Sequence, residues 1–336
     1  MIFLSIILII INFLFLTKFN YIKNLLNIYD IPDKKLKKHK SKTPILGGFI
    51  LITNFLIIFI YQFFFSDSFF SFPKEFSKFK EYLSILLLIF SFFIIGIYDD
   101  KNKLSPNKKL LYSSIVVLLS LMLNEKMLID MFSLSFYENK IFLDNSSLVF
   151  TTFCIIILLN SLNFYDGING QSCLFCIFIF FYLFIKSEFN YFYLIYILII
   201  TFILFLNLTN KLFLGDGGIF LLSAIISFSL IYEHNESKNI LYADEIFLLL
   251  ILPGIDLIRL TLTRLFHSKN AFYGDRNHIH HLLNNRINLT LTNFVLILLS
   301  SFPVILFLYF QMKFYTVFFI FLLIYILLIY TLKIND

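Results

Sequence analysis

Asp99 and Asp100 stand side by side at the end of an apolar run, and Lys108 and Lys109 open the next one. Adjacent carboxylates at a membrane interface repel each other, and a divalent cation or a proton relieves that repulsion. Asp216 lies in Phe213-Leu-Gly215-Asp216-Gly217-Gly218, whose glycines allow close approach to a phosphate or metal and whose Asp could equally cap a helix. Between them runs Asn160-Ser-Leu-Asn163-Phe-Tyr-Asp166-Gly167-Ile-Asn169-Gly170. A plain turn accounts for its glycines, but less well for three amides and a carboxylate in one place. Asp275-Arg276-Asn-His278-Ile-His280-His281 holds three of the six histidines within four positions. Such a cluster could bind zinc, yet with Arg276 beside it an anion site for phosphates is equally sensible. The fifth stretch is Asp30-Ile-Pro-Asp33, a lysine run to His39, then Thr43-Pro44-Ile-Leu-Gly47-Gly48. Its lysines mark topology and attract anionic lipid, while the glycine pair suits either ligand approach or helix packing.

The rest of the chain must hold these residues in lipid. Hydrophobic residues make up 59% and charged ones 14%, with 47 Phe, against about 45–50% and 25% in a soluble globule. Apolar runs near bilayer length predict about eleven spans (ten if a neighbouring pair merges): 2–17, 44–65, 82–98, 110–123, 147–162, 171–185, 191–206, 219–232, 244–266, 292–310 and 314–332. The expected fold is an all-α polytopic membrane protein, one unit over 1–336, with no soluble domain. Met1–Thr17 lacks a basic n-region and a small-residue cleavage site, so it reads as a retained span. Cys154, Cys173 and Cys176 fall in or beside apolar runs and read as buried apolar residues.

Nineteen Lys and Arg fall on the side reached after the first span and eight on the other. The positive-inside rule then places the N-terminus outside and the C-terminus in the cytoplasm. The net charge of +6 follows from this distribution and does not call for nucleic acid. On that topology all five stretches, in loops at about 28–48, 99–109, 160–170, 207–218 and 267–286, face the cytoplasm. A transporter places polar residues near the bilayer midplane, so one-sided interfacial placement favours an enzyme that joins a cytosolic substrate to a lipid headgroup.

Asp99-Asp100, Asn163-Phe-Tyr-Asp166-Gly167-Ile-Asn169-Gly170, Phe213-Leu-Gly215-Asp216 and His278-Ile-His280-His281 resemble, in order and spacing, the polyprenyl-phosphate N-acetylhexosamine-1-phosphate transferases of the MraY/WecA superfamily. Asp30-Ile-Pro with His39, Leu104-Ser105-Pro106 with Lys109, and Pro253…Asp256…Arg264 are similar to its other signatures, so the likeness covers roughly 28–284. The resemblance implies that a polyprenyl (undecaprenyl) phosphate attacks the β-phosphate of a UDP-N-acetylhexosamine and UMP leaves, in a bacterial inner membrane, to start a lipid-linked cell-surface glycan. It implies Mg²⁺, with Mn²⁺ as a substitute, held by Asp216 and Asp99, and a catalytic set of Asp99, Asp100 and Asp216 whose division between base and metal ligand stays open. Asn163, Asp166, Asn169, Phe213, Arg276, His278, His280 and His281 would then bind the nucleotide sugar, and Lys109, Thr43, Gly47 and Gly48 phosphate. A homodimer is compatible with all of this. Two departures from the family pattern stand out, Asn169 for a second Asp and Ile219 for Ser. The His-x-His-His spacing leans to the WecA-like branch, against the alternatives of the phospho-N-acetylmuramoyl-pentapeptide transferase and, more remotely, a nucleotide-sugar or lipid-linked sugar transporter.

Overall fold

Lipid offers the backbone no hydrogen-bond partner, so long apolar runs satisfy their N–H and C=O groups internally as helices. The computed structural model describes residues 2–32, 42–64, 79–235, 241–268 and 276–334, and each of the eleven expected runs holds helix there. In chain order, α1 (Ile2–Thr17) turns by 75° into the short amphipathic α2 (Phe19–Leu26). A two-stranded ladder of β1 (Tyr29–Asp30) and β2 (Thr43–Pro44) follows, then α3 (Gly47–Phe64), α4 (Phe79–Asn102) and α5 (Pro106–Leu123). An antiparallel hairpin of β3 (Met131–Leu134) and β4 (Tyr137–Phe142) precedes α6 (Ser147–Tyr165), α7 (Gln171–Lys186), α8 (Tyr191–Leu208) and α9 (Gly215–Asn235). The chain closes with α10 (Ala243–Leu249), α11 (Ile251–Phe266), α12 (Ile279–Arg286), α13 (Leu289–Leu308) and α14 (Phe314–Ile334).

Among the described residues, seven helices are long and apolar enough to cross a membrane, or nine if the two bent pairs each count as one span. Four of the eleven expected spans differ from that simple form: the run 2–17 is α1, which spans only if counted with α2 as one bent pair, and the run 110–123 is α5, which is not among the seven. The run 244–266 breaks at Leu250 into α10 and α11, bent by 71°, and α7 is a shorter apolar helix of 16 residues. The hairpin at 131–142 is also unforeseen, because its strands alternate too weakly to be read apart from a polar loop.

α9 is the centre. Its crossing window is 83% buried, against 28% for α14 and 33% for α13. It packs against α3, α4, α6 and α7. Gly96 makes the closest of these approaches possible, since a Cβ there would lie 2.5 Å from Asp216 O and Gly217 Cα. Gly47 and Gly48 do the same for α3: added Cβ atoms would meet Leu214 Cα and Gly218 N at 2.7 Å. The far end of α9 is pinned separately. His234 bonds Leu241 O (2.6 Å) and Met131 O (2.9 Å), Tyr193 donates to Glu233 (2.6 Å), and Ser135 bonds Asp244. The hairpin therefore belongs to the end of the bundle opposite Asp216.

Candidate functional site

The described parts of all five polar stretches meet at the other end of the bundle. The C-terminal ends of α4, α6, α8 and α11 and the N-terminal ends of α3, α5, α7, α9 and α12 converge there. The segment 33–41, with Asp33 and His39, and Asp275 lie outside the described residues.

The last turn of α4 and the first turn of α9 form the acidic centre. Asp100 Oδ1 accepts from the N–H of Asp216 (3.0 Å) and its Oδ2 from the N–H of Gly217 (3.1 Å). This is an N-cap supplied by a residue 116 positions earlier, and a carboxylate there also answers the positive end of the helix dipole. Gly215 adopts φ +73°, and a Cβ on it would sit 2.7 Å from Asp100 Oδ2. Only glycine fits that turn without strain. Asp99 points elsewhere. Its Oδ1 accepts from Leu104 N–H (2.6 Å) and its Oδ2 is ion-paired with Lys109. Lys109 Nζ also reaches Asp216 Oδ2 at 3.1 Å, so one ammonium bridges two carboxylates from different helices. The sequence left Asp99 and Asp100 interchangeable; the geometry separates them. Both oxygens of Asp100 are engaged with the backbone of α9, whereas Asp99 and Asp216 face a common cation.

That donor set fits Mg²⁺ in one respect. Mg²⁺ is typically held by one or two protein carboxylates, with waters and substrate phosphates completing its shell, and Asp99 with Asp216 supplies such a pair. Among the described residues there is no group of three or more His, Cys, Asp or Glu able to hold a metal alone, so the histidines do not form a zinc site with them.

Gly47 and Gly48, expected to bind phosphate, have other partners: their N–H groups donate to Phe213 O (3.1 Å) and Leu214 O (3.2 Å). They dock α3 on the chain leading into α9, and packing is their observed role. Thr43 is buried in β2, paired through the ladder with Asp30. Phe213 donates its N–H to Pro44 O (2.9 Å), so the 43–48 and 213–218 segments are one structural piece.

The turn 166–170 follows α6. Asp166 caps the end of that helix and accepts from Ser172 Oγ (2.6 Å). Its burial pushes the carboxyl up to about 6. Asn163 is half-buried on the last turn of α6. Asn169, expected at the nucleotide, has both amide hydrogens turned to the protein: Nδ2 donates to Asn210 Oδ1 (2.6 Å) and Asn207 O (3.3 Å). Asn207 Oδ1 in turn accepts from Gly170 N–H (2.6 Å), and Asn293 donates to Asn169 O (2.8 Å). Asn169 thus ties the turn to α8 and α13, and an Asp there would forfeit these donations.

The histidines lie at the start of α12. His278 Nδ1 bonds Asp256 Oδ2 (2.8 Å), and its ring stacks on Phe164 (5.6 Å, 21°) and on His280 (5.4 Å, 10°). Arg264 lies 5.3 Å over the Phe164 ring. His280 is fully buried, and its Nε2 lies where a Cβ on Gly167 would be. Burial first, then the neighbouring His281 and His278, hold His280 well below the usual imidazole range, so it is neutral. His280 Nδ1 and the Nε and Nη1 of Arg276 are buried without a hydrogen-bond partner among the described residues, as groups meant for an anion would be. His281 packs on His280 at 4.2 Å. Arg259 and Tyr325, both bonded to Asp256, were not anticipated; a charged pair three residues apart inside an apolar run was the available signal for Arg259.

The fold and site thus define a polytopic membrane protein with a carboxylate–lysine centre and a histidine–arginine cluster joined through α6. Residues 82–234, a little under half of the chain, match the family described as Glycosyl transferase family 4. The match spans Asp99, Asp100, Lys109, the 163–170 turn and Asp216, and ends before the histidines. It supports a polyprenyl-phosphate sugar-1-phosphate transferase in general, with a nucleotide sugar and a lipid phosphate as its substrates. No curated protein matches the chain.

Proposed function

We propose that this protein transfers an N-acetylhexosamine-1-phosphate from a UDP-sugar to polyprenyl phosphate on the cytoplasmic side of a bacterial inner membrane. The observation that carries this reading is the Asp99–Lys109–Asp216 cluster at one end of an apolar bundle. A lipid phosphate oxygen forms a bond to the β-phosphorus, the bond from that phosphorus to the bridging oxygen breaks so that UMP leaves with the oxygen, and the polyprenyl-diphosphate sugar stays in the membrane. Lys109 binds phosphate oxygens as a point charge. Asp99 and Asp216 would hold Mg²⁺, which when bound neutralises charge on the diphosphate oxygens. Asp99, which is not tied up in capping α9, is the better placed of the two neighbours to take the proton of the lipid phosphate. Arg276 and the neutral His280 would supply donors for the sugar-linked phosphate, and Asn163, Asp166 and Phe213 would contact the nucleotide. The WecA-like sugar preference rests on the His-x-His-His spacing.

A carrier is disfavoured by depth: Asp99 lies three residues from the end of α4, and Asp216 is the second residue of α9. Purified protein given polyprenyl phosphate, Mg²⁺ and a panel of UDP-sugars, UDP-N-acetylglucosamine and UDP-N-acetylmuramoyl-pentapeptide included, should release UMP with a simple N-acetylhexosamine. Release only with the pentapeptide substrate makes it the peptidoglycan enzyme. No release from any member, with uptake of the sugar into vesicles, makes it a carrier.

A further inference from the structure

We propose that Tyr325, on the last helix, is a positioning residue that fixes His278 through Asp256; this rests on reading His278 as part of the nucleotide-sugar site. Asp256 Oδ1 accepts from the Tyr325 hydroxyl (2.7 Å), from Arg259 Nη2 (2.7 Å) and from the N–H of Ile279 (3.3 Å). Its Oδ2 bonds His278 Nδ1 (2.8 Å). Arg259 Nε donates to the Tyr325 oxygen (2.7 Å), and Nη2 also reaches Asn277 O (2.7 Å).

The direction of each bond follows from what the groups can do. A guanidinium has donors only, so the Tyr325 oxygen must accept from Arg259, and its one proton is left for Asp256. Asp256, ion-paired with Arg259, accepts at both oxygens, so His278 must carry its proton on Nδ1. Nε2 of His278 is thereby the atom turned away from Asp256, toward Arg264 Nη2 at 3.4 Å. One phenol on α14 thus sets the tautomer and the ring orientation of a histidine at the N-cap of α12, and Phe164 fixes the ring plane from the other side. Tyr325 and Asp256 are both buried, 2% exposed each, so water does not replace a lost bond readily.

Tyr325→Phe keeps the ring and its packing and removes only the hydroxyl. It should weaken UDP binding, read by calorimetry on the full-length protein, by about 10- to 100-fold, the range of one hydrogen bond to a charged group. The same change made in a His278→Ala background should cost less than about twofold, because the group being positioned is gone. Arg259→Gln, which removes the donors behind Tyr325, should show the same dependence on His278. Equal losses in both backgrounds would mean that Tyr325 merely supports the fold, and no loss in the wild-type background would also overturn the proposal. A wild-type protein that neither binds UDP nor releases UMP removes the functional reading and this inference with it, whereas one that does both while the losses add removes the inference alone.

Discussion

Replacing Asp100 and Asp99 one at a time separates a residue that builds the centre from one that acts in it. Asp100→Asn leaves one carbonyl oxygen facing the N–H groups of Asp216 and Gly217, and turns an NH₂ toward the other. One charge-assisted bond disappears and the remaining one becomes neutral, a loss of about 2–3 kcal/mol. In a chain of 336 residues that lowers the melting temperature by roughly 3–4 °C. The start of α9 then relaxes, and a displacement near 1 Å of Asp216 is enough to slow the reaction by about 100-fold. Activity should fall but persist, and the melting temperature should drop. Asp99→Asn touches no helix cap: it loses the Lys109 ion pair, and turnover should vanish with little thermal cost. UMP release and thermal unfolding, measured on the same detergent-solubilised preparations, decide the matter. If Asp100→Asn is as inactive as Asp99→Asn while melting like the wild type, the capping role is wrong and the Asp100 charge takes part in the chemistry.

Lys109→Met leaves the carboxylates of Asp99 and Asp216 facing each other without a counter-charge, so its melting temperature should fall without divalent ions and rise more steeply with added Mn²⁺ than that of the wild type; parallel Mn²⁺ responses would contradict this. Gly96→Val places side-chain atoms against backbone that cannot yield, Asp216 O and Gly217 Cα being 2.5 Å from the new Cβ, and should cost over about 3 kcal/mol of stability and all turnover; a folded, active variant would show that α4 and α9 are not locked. Asp166 keeps its proton up to about pH 6 in the folded protein, against an ordinary carboxyl value of 3.8. The folded state therefore binds that proton more tightly, and its stabilising contribution is complete below the unfolded value and lost as pH rises through the folded one. Asp166→Asn should flatten the stability profile between about pH 4 and 6, and an unchanged profile would place the titration elsewhere.

What the sequence made legible was whatever depends on local pattern. Apolar runs forecast the helices, and the alternation of sides forecast that Asp99, Asp166, Asp216 and His278 would share one end. Long-range partnership stayed hidden. Nothing near Asp100 indicates that it caps a helix beginning 116 residues later, and nothing near Tyr325 points to Asp256, 69 residues back. Gly47 and Gly48 were ambiguous because a glycine needed for ligand approach and one needed for a neighbouring helix look alike in sequence; the carbonyls of Phe213 and Leu214 resolve them. The break at Leu250 carries no Gly, and Pro253 is tolerated in the first turn of α11, so the apolar run read as continuous.

The burial of α9 bears on how the molecule is made. Ribosomes deliver the chain from its N-terminus, so α3, α4, α6 and α7 reach the membrane before the helix they surround has been synthesised. Until residue 235 emerges, the faces that α9 will cover must be held by lipid, by one another or by the insertion machinery. The same late step brings Asp216 to Lys109 and gives Asp100 its two N–H partners. Burial of α9 and completion of the carboxylate–lysine centre are one event, and a chain stalled before α9 would lack both.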